Sequence, residues 1–187
     1  MEQHIFIKNM VCERCKQSVT ELLAAMDIPL YGLTLGDVVI EEIDTETYAK
    51  LKKNLHEKGF ELIKSEDDII IEHVKTTLIE ALDTPLEVTM TISEVLTTRI
   101  PKDYSVISKL FSKTMGITIE KYFIQLKIEK VKELIQLGQL QFTEIAHVLG
   151  YTSSSHLASQ FKNNTGLSMS AFKALQQWDR KTLDKIV

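Results

Sequence analysis

The sequence predicts a two-domain protein. An α+β domain with the element order βαββαβ occupies residues 1–65, and an all-α domain occupies residues 70–175, followed by a tail at 176–187. Three observations predict this division: alternating strand and helix patterns in the first part, two similar pairs of helices in the second, and a change of charge between them. Residues 1–69 carry 8 Lys and Arg against 14 Asp and Glu, a net charge of −6, whereas residues 70–187 carry +2. A chain of 187 residues is long enough for two small domains.

The first domain follows strand and helix periodicities in turn. Gly36-Asp37 is typical of a tight turn between two antiparallel strands, and Gly59 is typical of a helix end. A short acidic stretch, residues 65–68, marks the junction with the second domain. The predicted elements are a strand at 4–8, a helix at 17–26, strands at 30–35 and 38–43, a helix at 45–58 and a strand at 60–63.

The two cysteines of the chain, Cys12 and Cys15, are three residues apart and are the candidate metal ligands. Thiolates at a helix start are stabilised by the helix dipole, and Arg14 or Lys16 adds positive charge, so we expect a lowered pKa. Soft thiolates favour Cu(I) and Zn(II) as cofactors. Two sulfurs do not complete a tetrahedral zinc site, so linear Cu(I) or a site shared with a partner's thiols fits better. A redox pair or a relic loop is the alternative.

The element order and the motif Met10-Val11-Cys12-Glu13-Arg14-Cys15 resemble the heavy-metal-associated domain. That resemblance implies a ferredoxin-like fold with a metal-binding M-x-C-x-x-C loop after the first strand. One departure is Asn9, which stands where the family usually has glycine.

The second domain contains two predicted helix pairs joined by a long helix at 119–137. In the second pair, Gly150 ends the first helix, Ser153 caps the next, and Leu157 and Phe161 are four residues apart on one buried face. The exit of that helix, residues 160–166, repeats the pattern of residues 110–116. The remaining helices are predicted at 93–96, 104–113 and 142–149, with the last one running over 153–164.

These residues resemble the C-terminal domain of AraC/XylS-type transcription regulators. The marks are a basic and apolar linker helix at 127–135, Ile145-Ala146 with Gly150-Tyr151, Phe161-Lys162 with Gly166, and Phe172-Lys173. Met169 departs from the proline usual in the family. The resemblance implies two helix-turn-helix units and sequence-specific binding of double-stranded DNA.

Matching the family's base-contacting positions onto this sequence gives one set of residues in each unit. Lysine can read guanine through N7 and O6, whereas serine hydroxyls discriminate poorly between bases. The matched positions are Ser105, Ser108 and Lys109 in the first unit and Ser154, Ser155, His156 and Ser159 in the second. The expected phosphate contacts are Lys102, Lys113 and Lys162.

The sequence contains no catalytic triad motif, phosphate-binding glycine loop or paired-carboxylate signature, so we expect no enzyme and assign no catalytic residues. No apolar run spans a bilayer and no signal peptide is found, which leads us to expect a cytoplasmic protein without a membrane partner. The leading hypothesis is a transcription regulator modulated by soft-metal or thiol chemistry, with RNA polymerase as a further candidate partner. The alternatives are a regulator whose first domain only mediates dimerisation or protein interaction, and a metallochaperone-like carrier. The sequence sets no oligomeric state.

Overall fold

A computed structural model describes residues 1–83, 91–175, 179–181 and 183–186 of the chain. The described residues form two compact units, at 1–76 and 77–187. The predicted domain limits at residues 65 and 70 stay predictions. No helix in the described ranges combines the length and the apolar character that crossing a bilayer requires.

The first unit contains a four-stranded antiparallel sheet and two helices after its first and third strands. The sheet has the order β2-β3-β1-β4, with Ile5 of β1 opposite Val38 of β3 and Phe6 of β1 opposite Ile63 of β4. The elements are β1 (Glu2–Lys8), α1 (Glu13–Ala25), β2 (Leu30–Leu33), β3 (Asp37–Glu41), α2 (Thr45–Glu57) and β4 (Glu61–Ile63).

The β2-β3 turn differs by one residue from the predicted Gly36-Asp37 turn. The backbone N–H of Thr34 donates to the carbonyl of Asp37 at 2.9 Å, so Leu35 and Gly36 are the central residues. Gly36 has φ +83°, a left-handed conformation that glycine adopts at little cost, and Asp37 already belongs to β3. The turn was predicted at the right place, but the pairing starts one residue earlier.

An 18-residue helix, α3 (Glu66–Asp83), follows the sheet and was not predicted. Its first turn holds Glu66, Asp67 and Asp68, the acidic stretch that the sequence analysis placed at the junction. Negative charge at a helix N-terminus is favourable because it faces the positive end of the helix dipole. The division between the two units falls inside this helix.

The second unit is helical and carries an internal repeat with an offset of 50 residues. In the first copy Tyr104 begins the second helix, and in the other copy Ser154 does. The long helix was predicted at its observed bounds. The elements are α4 (Ile92–Arg99), α5 (Tyr104–Met115), α6 (Ile119–Leu137), α7 (Phe142–Val148), α8 (Ser154–Thr165) and α9 (Met169–Lys173).

The repeat extends to the caps and to the buried aromatic pairs. Gly116 and Gly166 end α5 and α8 with φ of +72° and +77°. The rings of Phe111 and Tyr122 meet edge to face with centroids 5.4 Å apart, and those of Phe161 and Phe172 do so at 5.6 Å. The two copies therefore share one packing scheme.

Part of the predicted tail packs on α6. Glu129 and Lys132 of α6 are buried and form an ion pair with Oε1–Nζ 2.7 Å apart. The other oxygen of Glu129 accepts the backbone N–H of Lys181 at 2.9 Å, and Arg180 donates to Gln136 at 2.8 Å. Residues 176–178, 182 and 187 of the tail lie outside the described residues.

Candidate nucleic-acid interface and cysteine loop

The turn between α7 and α8 is built by backbone hydrogen bonds and glycine. Gly150 has φ +69°, and the backbone N–H of Tyr151 donates to the carbonyl of Ala146 at 2.8 Å. Helix α7 follows Gln141, whose N–H donates to the Glu144 carboxylate at 2.6 Å. Ser153 caps α8, as predicted, because its hydroxyl accepts the N–H of His156 at 3.1 Å.

Helix α8 has one buried face and one exposed face. Leu157 and Phe161 are fully buried, as predicted. Ser154 is half-buried at the start of the helix. The exposed face carries the other candidate DNA contacts of this unit, Ser155, His156, Ser159 and Lys162.

The imidazole of His156 is held by two neighbours rather than extending alone into solvent. Its Nδ1 lies 3.2 Å from the hydroxyl of Thr152, and its ring meets the ring of Tyr151 edge to face at 5.4 Å. The Tyr151 hydroxyl donates to Gln160 at 2.5 Å, and burial raises the pKa of Tyr151 to about 12, so it remains a donor at neutral pH. The candidate reading residue His156 thus has a defined orientation.

Helix α5 presents the corresponding exposed face of the first helix-turn-helix unit, which consists of α4 and α5. Ile107 and Phe111 are buried, whereas Ser105, Lys109 and Lys113 are exposed. The predicted contacts Ser108 and Lys102 are half-buried. Val106 also lies on this exposed face and was absent from the sequence-based set, although its offset of 50 residues from His156 is readable in the sequence.

Tyr104 anchors the start of α5 to α6. Its hydroxyl donates to the Glu120 carboxylate at 2.5 Å. Burial, together with that carboxylate, raises the pKa of Tyr104 to about 12, and the same hydrogen bond lowers the pKa of Glu120. This hydrogen bond joins the start of α5 to the start of the connecting helix α6.

The comparison with known families matches part of the sequence to one family. Residues 99–174 match the family described as "Helix-turn-helix domain". The match begins at the end of α4 and includes α5 and α8, the second helices of the two helix pairs.

Two curated proteins are similar to part of the chain. One is the Msm operon regulatory protein of Streptococcus mutans, 29% identical over 69 residues, which are 37% of this chain and 25% of that protein. Another is the uncharacterized HTH-type transcriptional regulator YijO of Escherichia coli, 31% identical over 67 residues, 36% of this chain and 24% of that protein. The chain thus spans about a quarter of the length of the curated relatives that it matches.

A solved structure is also similar to part of the chain. It is the crystal structure of a DNA-binding transcriptional dual regulator from Escherichia coli K-12, with 13% identity and a TM-score of 0.47. The similarity covers 56% of this chain and 88% of that one.

The cysteine loop lies between β1 and α1. The Sγ atoms of Cys12 and Cys15 are 3.5 Å apart, with Cys12 exposed and Cys15 half-buried. Met10 of the motif is fully buried. Asn9 has φ +73°, and its backbone N–H donates to the buried carboxylate of Glu72 at 2.9 Å.

The electrostatics of the loop differ from the sequence-based expectation for Cys15. Burial raises the pKa of the Cys15 thiol, although a lowered value was predicted from the helix start and the nearby cations. Lys16 is paired with Glu13, with Nζ–Oε1 2.6 Å apart, so its charge is largely compensated. Because the thiol is the form favoured at neutral pH, metal capture at Cys15 has to release a proton.

The donor set fits a soft ion held by two sulfurs. Among the described residues, no group of three or more Cys, His, Asp and Glu side chains converges to hold a metal. Two thiolates bound to one ion at ~2.3 Å lie about 3.8 Å apart in tetrahedral geometry and about 4.6 Å apart in linear geometry. The observed separation of 3.5 Å is short enough for both sulfurs to reach one ion, which Cys12 and Cys15 would hold as thiolates.

Proposed function

We propose that the chain is a sequence-specific DNA-binding transcription regulator of the AraC type. The observation that carries the proposal is the pair of helix-turn-helix units with a shared packing scheme, each with a polar recognition face on its second helix. The domain match over 99–174 and the regulator names of the partial relatives support it. Double-stranded DNA is the proposed partner, and no enzymatic activity is proposed.

The two recognition faces would act differently on DNA. Lys109 in α5 supplies a cationic donor for a guanine edge, and Ser155 and Ser159 in α8 supply hydroxyls that read bases weakly. The second unit would therefore contribute more through phosphate contacts and DNA shape. Because residues 70–187 have a net charge of only +2, nonspecific affinity would be modest and sensitive to salt.

The test is selection of duplexes from a random pool, followed by fluorescence anisotropy with the selected duplex and a scrambled one. We expect a recurrent sequence that binds at least about a hundredfold more tightly than the scrambled duplex. Lys109→Ala should weaken specific binding about tenfold or more. The matched control is Lys53→Ala, which removes one exposed charge from α2 and should change binding less than about twofold. Equal affinity for both duplexes would refute the proposal.

We further propose that residues 1–76 form a ferredoxin-like domain of the heavy-metal-associated type. This N-terminal domain would modulate DNA binding through Cys12 and Cys15. The βαββαβ order and the antiparallel sheet order support this assignment. The thiols' close approach supports binding of one Cu(I) or Zn(II) ion, or formation of a Cys12–Cys15 disulfide when an added oxidant takes up two electrons and two protons are released. The hydrogen bond from Asn9 to Glu72 supports coupling, since it ties the thiol loop to α3.

Modulation is tested by anisotropy on the selected duplex in three arms: anaerobically with one equivalent of Cu(I), anaerobically with Zn(II), and after oxidation of the thiols. We expect either ion to change the affinity for DNA, and we expect Cys12→Ser with Cys15→Ser to abolish that change. A metal effect that survives in the double variant would point to another site. Specific DNA binding that changes with neither ion and not with oxidation would favour an N-terminal domain that only mediates dimerisation or protein interaction.

The metallochaperone-like alternative makes an opposite prediction for DNA binding by residues 77–187. A metal carrier with a degenerate second domain would bind Cu(I) but would lack a sequence-specific DNA complex. Loss of specific binding in Lys109→Ala would exclude it, because a carrier needs no base reader. Contact with RNA polymerase is a separate proposal, testable by retention of polymerase on the promoter complex.

A further inference from the structure

Val106 is an exposed apolar side chain on a recognition face. Its side chain is 51% exposed, and it is one of four large apolar residues in the described ranges that are at least half exposed. The buried face of α5 is formed without it, by Ile107 and Phe111. The fold therefore gives no packing reason for valine at this position.

The position of Val106 in the helix suits contact with bases. It lies in the first turn of α5, where its backbone N–H donates to the carbonyl of Asp103 at 3.0 Å. Residues near the start of a recognition helix are those that reach base edges in the major groove. A β-branched side chain in a helix has one strongly preferred χ1 rotamer, so the two methyl groups of Val106 have a fixed direction.

Its neighbours define one reading surface. Lys109 lies three residues after Val106 and four residues after Ser105, and these spacings place side chains next to each other on a helix surface. All three side chains are exposed. The offset of 50 residues places His156 at the same position of α8. The first unit thus presents two methyl groups where the second presents an imidazole.

We propose that Val106 is a specificity-determining residue that contacts the 5-methyl group of a thymine. This thymine lies in the first half-site, the part of the DNA site that α5 would contact. Thymine is the base that places a methyl group in the major groove, and apolar side chains recognise it by direct contact. This inference rests on the proposed DNA-binding function. It assigns an apolar contact to a unit whose other candidate readers are hydroxyls and a cation.

The test uses the full chain and the selected duplex, with each thymine replaced singly by deoxyuridine, which removes one methyl group and keeps the hydrogen-bonding edge. For the wild-type protein we expect a loss of about three- to fivefold in affinity at one position of the first half-site, the size expected for one buried methyl group. For Val106→Ala we expect deoxyuridine at that position to cause no additional loss of affinity. Deoxyuridine at every other position should cause the same loss as in the wild-type protein. Alanine is a good helix former, so the exposed substitution should leave the fold intact.

The matched control is His156→Ala, which alters the equivalent position of the second unit. It should retain the full deoxyuridine loss that Val106→Ala removes. If the protein binds its duplex specifically but Val106→Ala shows the same deoxyuridine profile as the wild type, the inference is wrong while the proposed function stands. If no thymine lies in the first half-site, the inference is also wrong. If no duplex is bound specifically, the proposed function fails together with it.

Discussion

The two helix-turn-helix units have the same interior and different surfaces. The rings of Phe111 and Tyr122 and those of Phe161 and Phe172 form equivalent edge-to-face contacts. On the exposed faces, by contrast, the first unit has Lys109 and Val106 at the positions where the second has Ser159 and His156. The difference teaches that the fold of the unit depends on its packing, whereas the exposed side chains are free to differ, and it is to these that we assign the proposed sequence preference.

The supporting contacts also differ in charge. Tyr104 of the first unit donates to the carboxylate of Glu120, while Tyr151 of the second donates to the neutral amide of Gln160. Asp103 precedes α5 without a side-chain cap, whereas Ser153 caps α8 through its hydroxyl. The following substitutions exploit these differences.

The largest expected effect tests the shared interior. Phe111→Ala and Phe161→Ala should each lower the free energy of unfolding by about 3–5 kcal/mol, because each removes a fully buried ring and leaves a cavity. Urea unfolding followed by circular dichroism measures both. Losses that differ between the two variants by more than about 2 kcal/mol would show that the interiors are not equivalent.

The next effect concerns the exposed faces. Lys109→Ser gives the first unit the residue that the second has at this position, and it should weaken specific DNA binding about tenfold or more. Ser159→Lys makes the reverse change and should strengthen binding to all duplexes, with a salt slope steeper by about 1. Anisotropy at several salt concentrations measures both. An unchanged slope in Ser159→Lys would mean that α8 lies away from the phosphates.

A smaller effect distinguishes the two helix starts. Ser153→Ala should lower the free energy of unfolding by about 1 kcal/mol, because the N–H of His156 loses its acceptor. Asp103→Ala removes no capping hydrogen bond and should cost about 0.5 kcal/mol or less, through the loss of a favourable charge. Thermal unfolding of both variants provides the comparison, and a larger loss in Asp103→Ala would contradict it.

The smallest effect is a difference in pH dependence. The hydrogen bond from Tyr104 lowers the pKa of Glu120, so it stabilises the fold above the unfolded pKa of about 4.5 and is lost as the pH falls through the folded pKa. Tyr104→Phe should therefore cost less than about 1 kcal/mol at pH 7, since Glu120 is largely exposed, and the cost should shrink below pH 4.5. Tyr151→Phe should show a cost that does not vary with pH over this range, because Gln160 does not titrate. Urea unfolding from pH 3 to pH 7 measures both variants.

Sequence reasoning succeeded where the pattern is local. The bounds of α6 were predicted at both ends. The structure shows that these ends are set locally, since Thr118 caps the helix and Gly138 ends it in a left-handed conformation. The exposed face of α8 followed from helical spacing with Leu157 and Phe161 inside. Such features depend on a few neighbouring residues, which the sequence displays directly.

The missed features depend on burial. Helix α3 is buried on most of its sides, so its apolar residues, such as Ile70, Ile71 and Val74, do not follow a one-sided periodicity. The raised pKa of Cys15 likewise comes from burial, and the pairing of Lys16 with Glu13 cannot be read from the motif alone. Val106 was missed because the resemblance supplied only the family's matched positions, and its exposure became evident in the fold.

The 50-residue register has a consequence for how binding preference can change over time. Because α5 and α8 are packed by equivalent buried residues, substitutions at the exposed residues Val106, Lys109, His156 or Ser159 change the proposed reading surface without disturbing its frame. If the chain is the DNA-binding regulator proposed above, the DNA preference of each helix can change separately while the other helix keeps its own. Preference and stability are then encoded by different residues of the same two helices.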